Sequence, residues 1–324
     1  MLPIFAPLEK IPAPFSYLAL GSMILALFLA FKEKYFQSAV LIALLAYLFL
    51  VSLDLNRLQA YYYQYWIILL FLVFFRKNEN LHLSLYILLA GIYFHSGLCK
   101  LNPNFLDYIF PNMLYAFRYY SVEMWQESSI KFIAYGIPLG EMLLALLLLV
   151  PRTRSIALVL SIVLHLGILY SIGPFGLNWN KIVWIWNIGM ILLNFLLFQD
   201  SKELQFIKAK ALLPLLAIIF FFILPFFHYF HLWPNVFSFT LYSGKTPNAK
   251  IYLSNYDKIE APILYNAQND SFIDLNVWYL RDLNTAIYPQ QFAVEKLAEK
   301  LCQDLNCEKI EIFEVYKESV NYVE

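Results

Sequence analysis

Eight apolar stretches, each close to the length of a bilayer crossing, leave this chain almost no choice of fold class. A membrane-spanning helix needs about 20 mostly apolar residues, within a range of about 17–25. Such stretches run roughly over Phe15–Phe31, Phe36–Leu53, Leu58–Phe75, Leu81–Leu101, Ile130–Val150, Ser155–Gly173, Ile182–Phe198 and Ala211–Phe230. The third is the least regular, because Gln59 to Tyr65 is polar and aromatic. The chain is 61% hydrophobic and 14% charged, whereas soluble domains average about 45–50% and about 25%. The expectation is an all-α polytopic membrane bundle of about eight transmembrane helices over residues 1–235, followed by a small soluble α+β tail domain over residues 236–324.

The basic residues give this bundle a direction. Lys32 and Lys34, Arg76 and Lys77, Arg152 and Arg154, and Lys202, Lys208 and Lys210 fall in alternate loops, while the short loops between carry far fewer, Arg57 in one and Lys181 in another. Cytoplasmic loops collect Lys and Arg. The four basic loops are therefore expected in the cytoplasm, with both termini and the tail on the extracytoplasmic side of a cell membrane. Met1 to Phe15 shows no cleavable signal pattern. A formal charge of zero offers no basic surface for nucleic acid. None of the ten glycines forms a phosphate-cradling motif, and three cysteines do not make a Cys-rich metal site, so no metal is expected.

Two regions lie outside the spans. Asn102 to Ser129 is too long for a turn, and its aromatic residues suggest an interfacial or re-entrant segment. The tail from Phe237 to Glu324 has 8 Lys and Arg against 13 Asp and Glu. Its pattern predicts strands over Phe237–Ser243, Ala249–Leu253, Phe272–Leu280 and Lys309–Tyr316, and a helix over Gln290–Asp304. Cys302 and Cys307 stand close enough for either a disulfide or two thiols.

Polar groups inside the spans carry the chemistry. An ionisable side chain at mid-membrane costs about 2.5–3.5 kcal/mol on insertion scales, so each needs a reason. Glu141 sits midway along the fifth span and His165 well inside the sixth. A Glu141–His165 hydrogen bond would relieve both, either as a polar clamp between helices or as a proton-handling pair. Lys100 closes the fourth span, on one face with Tyr93 and Gly97. It would either snorkel to water or, partly desolvated, act as a base. Gly97 would admit a neighbouring helix or a flat ligand. Tyr61, Gln64 and Tyr65 share a face at the same depth, with Trp184 across from them after the Gly173-Pro174 turn. Such surfaces suit a quinone, a lipid headgroup or plain interfacial anchoring.

Three segments together carry a family resemblance. Tyr93-Phe94-x-x-Gly97-x-x-Lys100-Leu101-x-x-x-Phe105, the Asp54…Tyr63…Tyr65 run, and His165 with Ile172-Gly173-x-Phe175 resemble motifs of vitamin K-dependent gamma-carboxylases and the related horizontally transferred transmembrane (HTTM) proteins. The resemblance implies a quinol-dependent carboxylase with an outward-facing pocket. Lys100 would be the base, with Glu141 and His165 as a proton relay. Tyr61, Gln64, Tyr65, Tyr93, Gly97 and Trp184 would bind a quinone or hydroquinone. The family's functional histidine falls on Tyr61 here, and its large lumenal domain is replaced by the short tail. Glu141 with Pro151-Arg152-Thr153-Arg154 also resembles DoxX-type membrane proteins. That resemblance implies a non-catalytic lipid- or quinone-binding module that docks an extracytoplasmic peptide or protein through its tail.

Overall fold

The computed structural model describes residues 2–115, 131–199, 211–253, 263–265, 271–313 and 321–322. All eight apolar stretches are helical: α1 Ala13–Leu29, α2 Phe36–Leu53, α3 Ala60–Phe75, α4 Leu81–Lys100, α6 Gly136–Leu149, α7 Arg154–Ile172, α8 Lys181–Gln199 and α9 Leu212–Phe230. A short helix, α5 Phe110–Tyr115, follows the α4 terminus. Five helical segments are long and apolar enough to cross a membrane: Glu33–Leu53, Leu81–Lys100, Phe132–Leu149, Pro151–Ile172 and Leu212–Phe230. Among the described residues the other three apolar helices fall short of that length. Helix α1, helix α3 and the Lys181–Leu197 part of α8 are shorter apolar helices. For α3 the polar start explains the deficit: Leu55–Arg57 forms a separate 3-10 turn, capped by the Asp54 carboxylate, before the helix begins.

Helix α4 is the centre of the bundle, with 72% of its apolar window buried. Two glycines let neighbours reach its backbone. A Cβ at Gly91 would strike the Phe221 carbonyl oxygen of α9, and one at Gly97 would strike the Pro138 carbonyl oxygen of α6. The α9 contact coincides with a π-turn over Ile219–Ile223. His95 donates a hydrogen bond of 2.9 Å to the Phe222 carbonyl of that turn.

The basic ends of the helices gather at one end of the bundle. Arg76 pairs with Glu33 at 3.2 Å, and Gln37 donates to the Val73 carbonyl. Arg154 donates to the Leu148 carbonyl and lies over the Tyr86 ring, while the Tyr86 hydroxyl donates to the Leu197 carbonyl. The loop bearing Lys202, Lys208 and Lys210 lies outside the described residues, as does the part of the 102–129 segment beyond Tyr115.

The tail forms an antiparallel sheet of β1 Asn248–Tyr252, β2 Ile263–Tyr265, β3 Ser271–Asp274, β4 Lys309–Phe313 and β5 Asn321–Tyr322, in the order β4-β1-β3-β2-β5. Helix α10, Gln291–Leu305, packs on β1 and β4. Cys302 and Cys307 form a disulfide. Two expected strands differ. Phe237–Ser243 is a 3-10 turn followed by left-handed residues at Phe239 and Tyr242. The alternating aromatics there pack on the bundle, Phe237 and Phe239 against Tyr63, instead of lining a sheet. The Phe272–Leu280 strand stops at Asp274, whose carboxylate accepts from the Val277 N–H and caps a short helix. Of the Lys309–Tyr316 strand, residues 314–316 lie outside the described residues.

This tail caps the other end of the bundle. Asn56 Oδ1 accepts from the Tyr288 N–H at 3.0 Å, and Gln59 donates to the Ala286 carbonyl at 3.1 Å. Asn102 and Asn104 donate to the carbonyls of Ser243 and Gly244. Asp54 accepts from the Leu2 N–H and so ties the N-terminal segment to the same place. The apolar core is continuous from α4 through Phe239 to Ile251 and Val294. Outside the spans, burial pushes the Asp274 carboxyl up, against the two hydrogen bonds that Asn248 donates to it. Burial likewise pushes Tyr279 up to about 12, with the Asp54 charge adding to the shift.

Overpacking an established core contact costs about 1–3 kcal/mol. Gly91→Ala should lower stability by that amount, read as a fall in thermal midpoint in detergent. The carbonyl it meets is backbone and cannot rotate away.

Candidate functional site

Two polar constellations lie inside the bundle, both built on α4. In the first, the Lys100 ammonium donates to both oxygens of Glu141, at 2.8 and 2.7 Å, and to Ser96 Oγ at 2.6 Å. Lys100 is 6% exposed and Glu141 2%. Lys100 therefore does not snorkel. Its neighbour α6 comes close because Gly97 has no side chain: Glu141 Cβ would lie 3.1 Å from a Cβ placed there. Of the two occupants weighed for Gly97, a helix or a flat ligand, the helix holds the place. Ser96 is one turn before Lys100 and so on the same face.

The second constellation centres on Tyr93. Its hydroxyl lies 2.8 Å from His165 Nε2 and 2.9 Å from Ser161 Oγ, and accepts from Asn194 Nδ2 at 2.9 Å. Glu141 thus takes Lys100 as its partner, not His165. His165 faces Tyr93 on one side and Asn187 Oδ1, at 2.7 Å, on the other. The proton positions follow from the amide. Asn187 Nδ2 donates to the Val183 carbonyl at 2.7 Å, which leaves Oδ1 to accept from His165. Nδ1 of the neutral imidazole then carries the proton and Nε2 presents its lone pair. Tyr93 donates its hydroxyl proton to Nε2, and its oxygen accepts from Asn194 and Ser161. Glu141 lies within electrostatic reach of Tyr93, and Lys100 within that of His165.

A third group lies beyond Tyr93. Gln64 accepts from Trp186 Nε1 at 2.9 Å and donates to the Met190 sulfur at 3.0 Å. The Tyr61 ring lies tilted beside Trp186, with centroids 5.9 Å apart. The Tyr65 hydroxyl lies against Gly189. Trp184 donates to the carbonyls of Ile172 and Trp179, fastening the turn between α7 and α8. Of the side chains expected to wall a quinone, Tyr61, Tyr65 and Trp184 gather in one aromatic cluster, Gln64 bonds Trp186 and Met190 beside it, and Tyr93 and Gly97 belong to the α4 contacts described above. Gln64 and Trp184 have polar atoms engaged that a quinone carbonyl would need.

Sequence reasoning missed Ser96, Ser161 and Asn194 and gave Asn187 no role. Their signal was spacing: Ser161 is one turn from His165, and Asn187 and Asn194 are two turns apart on one face of α8. Among the described residues no group of three or more His, Cys, Asp and Glu could hold a metal ion.

The family model for the methylamine utilisation protein MauE matches residues 78–199. No curated protein and no solved structure matches the chain. The matched segment holds Tyr93, Ser96, Lys100, Glu141, Ser161, His165, Asn187 and Asn194. With its apolar helices it identifies a multi-pass membrane protein. The match corrects the resemblance to HTTM proteins and gamma-carboxylases, and the quinol-dependent carboxylase reaction that it implied does not stand. The short motifs have packing causes. Gly97 admits α6, Asp54 holds the N-terminal segment, and a Cβ at Gly173 would strike the Leu169 carbonyl oxygen.

Removing one partner of a buried ion pair costs about 3–5 kcal/mol, because the other charge is left uncompensated. Lys100→Met should destabilise by about that much in chemical unfolding from micelles, and adding Glu141→Leu should recover most of the loss. A double variant as unstable as the single one would show that the two side chains are not paired.

Proposed function

We propose that this chain is the membrane module of an amine-utilisation system, with a proton-handling site in its MauE-like core and a docking surface on its disulfide-bearing cap. The observation that carries this reading is the Lys100–Glu141 pair, both groups buried, within the matched segment. Ionisable groups inside a membrane domain are expensive and mark functional paths by default. Lys100 and Glu141 hold one mobile proton between an amine and a carboxylate. Tyr93 and His165 hold a second, with its donor and acceptor fixed by Asn187. The core acts without a reaction of its own, as a module that moves protons for a partner on the capped side.

The cap faces the extracytoplasmic side in this reading. Support comes from the basic residues Lys32, Lys34, Arg76, Lys77, Arg152 and Arg154, which belong to loops at the opposite end of the helices. A disulfide in the cap suits an oxidising compartment. In this reading the N-terminal segment, tied to Asp54 through Leu2, shares that side.

Two experiments test the proposal. In a methylamine-utilising host lacking its own MauE, this chain should restore growth on methylamine. Lys100→Met with Glu141→Leu, and Lys100→Leu with Glu141→Met, the paired replacements that recover most of the stability lost by single ones, should fail to restore it while accumulating in the membrane near wild-type level. Absence of growth with the intact chain, or full growth with both variants, would remove the assignment. For orientation, Phe175→Cys lies in the turn at the capped end and Lys34→Cys at the basic end, and both positions are exposed. A membrane-impermeant maleimide should label the first in intact cells and the second only after permeabilisation. The reverse pattern would invert the topology.

A further inference from the structure

Gln64 and Asn194 are both fully buried. Among the described residues no group donates to Asn194 Oδ1, and the Gln64 amide donates only to a sulfur. The Asn194 amide cannot be turned round to mend this. Asn194 Nδ2 donates to the Met190 carbonyl at 2.8 Å and to the Tyr93 hydroxyl, and the opposite orientation would set oxygen against that carbonyl. Gln64 has the complementary deficit. Its Oε1 accepts from Trp186, so its Nε2 must face Met190, whose thioether sulfur is a weak acceptor. An unmet acceptor and a poorly met donor therefore flank the same residue, Met190, from α8 and from α3.

A buried polar atom without a partner costs about 1–3 kcal/mol. Asn194 Oδ1 is such an atom, and beside the same Met190 the Gln64 amide keeps a second N–H to donate, a pairing that suits a guest able both to donate and to accept. We propose that a buried water molecule is held between Gln64 and Asn194, beside Met190. It donates to Asn194 Oδ1 and accepts from Gln64 Nε2. Buried waters typically make about three hydrogen bonds to groups that would otherwise go unpaired. Ser161 and the Tyr93 hydroxyl, which share the Asn194 neighbourhood, supply the polar surroundings that such a water needs. The site extends the polar chain from His165 and Tyr93 through Asn194 to Gln64 and Trp186, so that it reaches α3. In the terms of the proposed function, this water gives the Tyr93–His165 pair a partner that exchanges protons, which amide side chains do not.

The inference rests on that reading for its purpose but not for its test, since hydration is read in the resting protein. The full chain, labelled with 13C and 15N and placed in phosphatidylcholine bilayers, is examined by water-edited solid-state NMR. Magnetisation from water should reach the Asn194 side chain several-fold more strongly than that of Asn187, whose oxygen and nitrogen are both engaged. Equal, weak transfer at the two amides would mean that the site is dry and would overturn the inference. Gln64→Leu removes one partner of the water and leaves Asn194 and Tyr93 in place. It should cut transfer to Asn194 by at least half, with the weak transfer to Asn187 unchanged as the check that the surrounding helices keep their packing. Unchanged transfer in that variant would show that the water is not held by Gln64. A dry site together with restored growth would leave the Lys100–Glu141 assignment intact.

Discussion

The bundle depends on the close approach of α4 and α6. An ammonium and a carboxylate can lie within an apolar bundle only if they meet, and they meet only if two helix backbones come nearer than ordinary side chains allow. Gly97 supplies that distance, one turn before Lys100, with Pro138 and Glu141 one turn apart on the facing helix. The pair in turn fixes α6 in rotation and in height. Helix α7 follows α6 after a short turn, so the depth at which His165 faces Tyr93 is set from the same contact.

The two constellations solve the burial problem differently. Lys100 and Glu141 cancel each other and use Ser96 to take one more ammonium proton. The Tyr93 chain carries no net charge and relies on fixed polarity. Asn187 is held by the Val183 carbonyl, which dictates the imidazole tautomer, which dictates where the phenol points its proton. A neutral chain of this kind is inexpensive to bury only while every member is satisfied. That is why the unmet groups at its far end, Asn194 and Gln64, carry information that the satisfied ones do not.

The helices were legible in the sequence because membrane spans are long runs of one composition. Their lengths were less so, since a run such as Leu58–Phe75 does not reveal that Asp54 will close a 3-10 turn first. Lys100, Glu141 and His165 stood out as ionisable groups in greasy surroundings. Their partners did not, because sequence adjacency favoured a Glu141–His165 contact while helix packing paired α6 with α4. The serines and asparagines of the site are unremarkable residue types whose only mark is their position one or two turns from an ionisable or polar neighbour. In the tail, Phe237 and Phe239 show a strand-like alternation produced by docking onto Tyr63. A period of two cannot distinguish a sheet face from a kinked segment lying on a helix bundle.

The extent of the MauE match follows the physics of the site. Residues 78–199 contain α4, α6, α7 and α8, and with them each member of the charged pair and of the Tyr93 chain. The parts outside the match, α1 to α3, α9 and the cap, bring few polar groups toward Tyr93, and Gln64 is the one that reaches Met190. What they add is attachment. The Asp54-Leu55-Asn56-Arg57 run binds the N-terminal segment through Asp54 and the cap through Asn56. Asn102 and Asn104, immediately after Lys100, bind the cap from the other side. The cap is thus fastened to the loop before α3 and to the residues directly after α4, contiguous with the C-terminal turn where Lys100 sits.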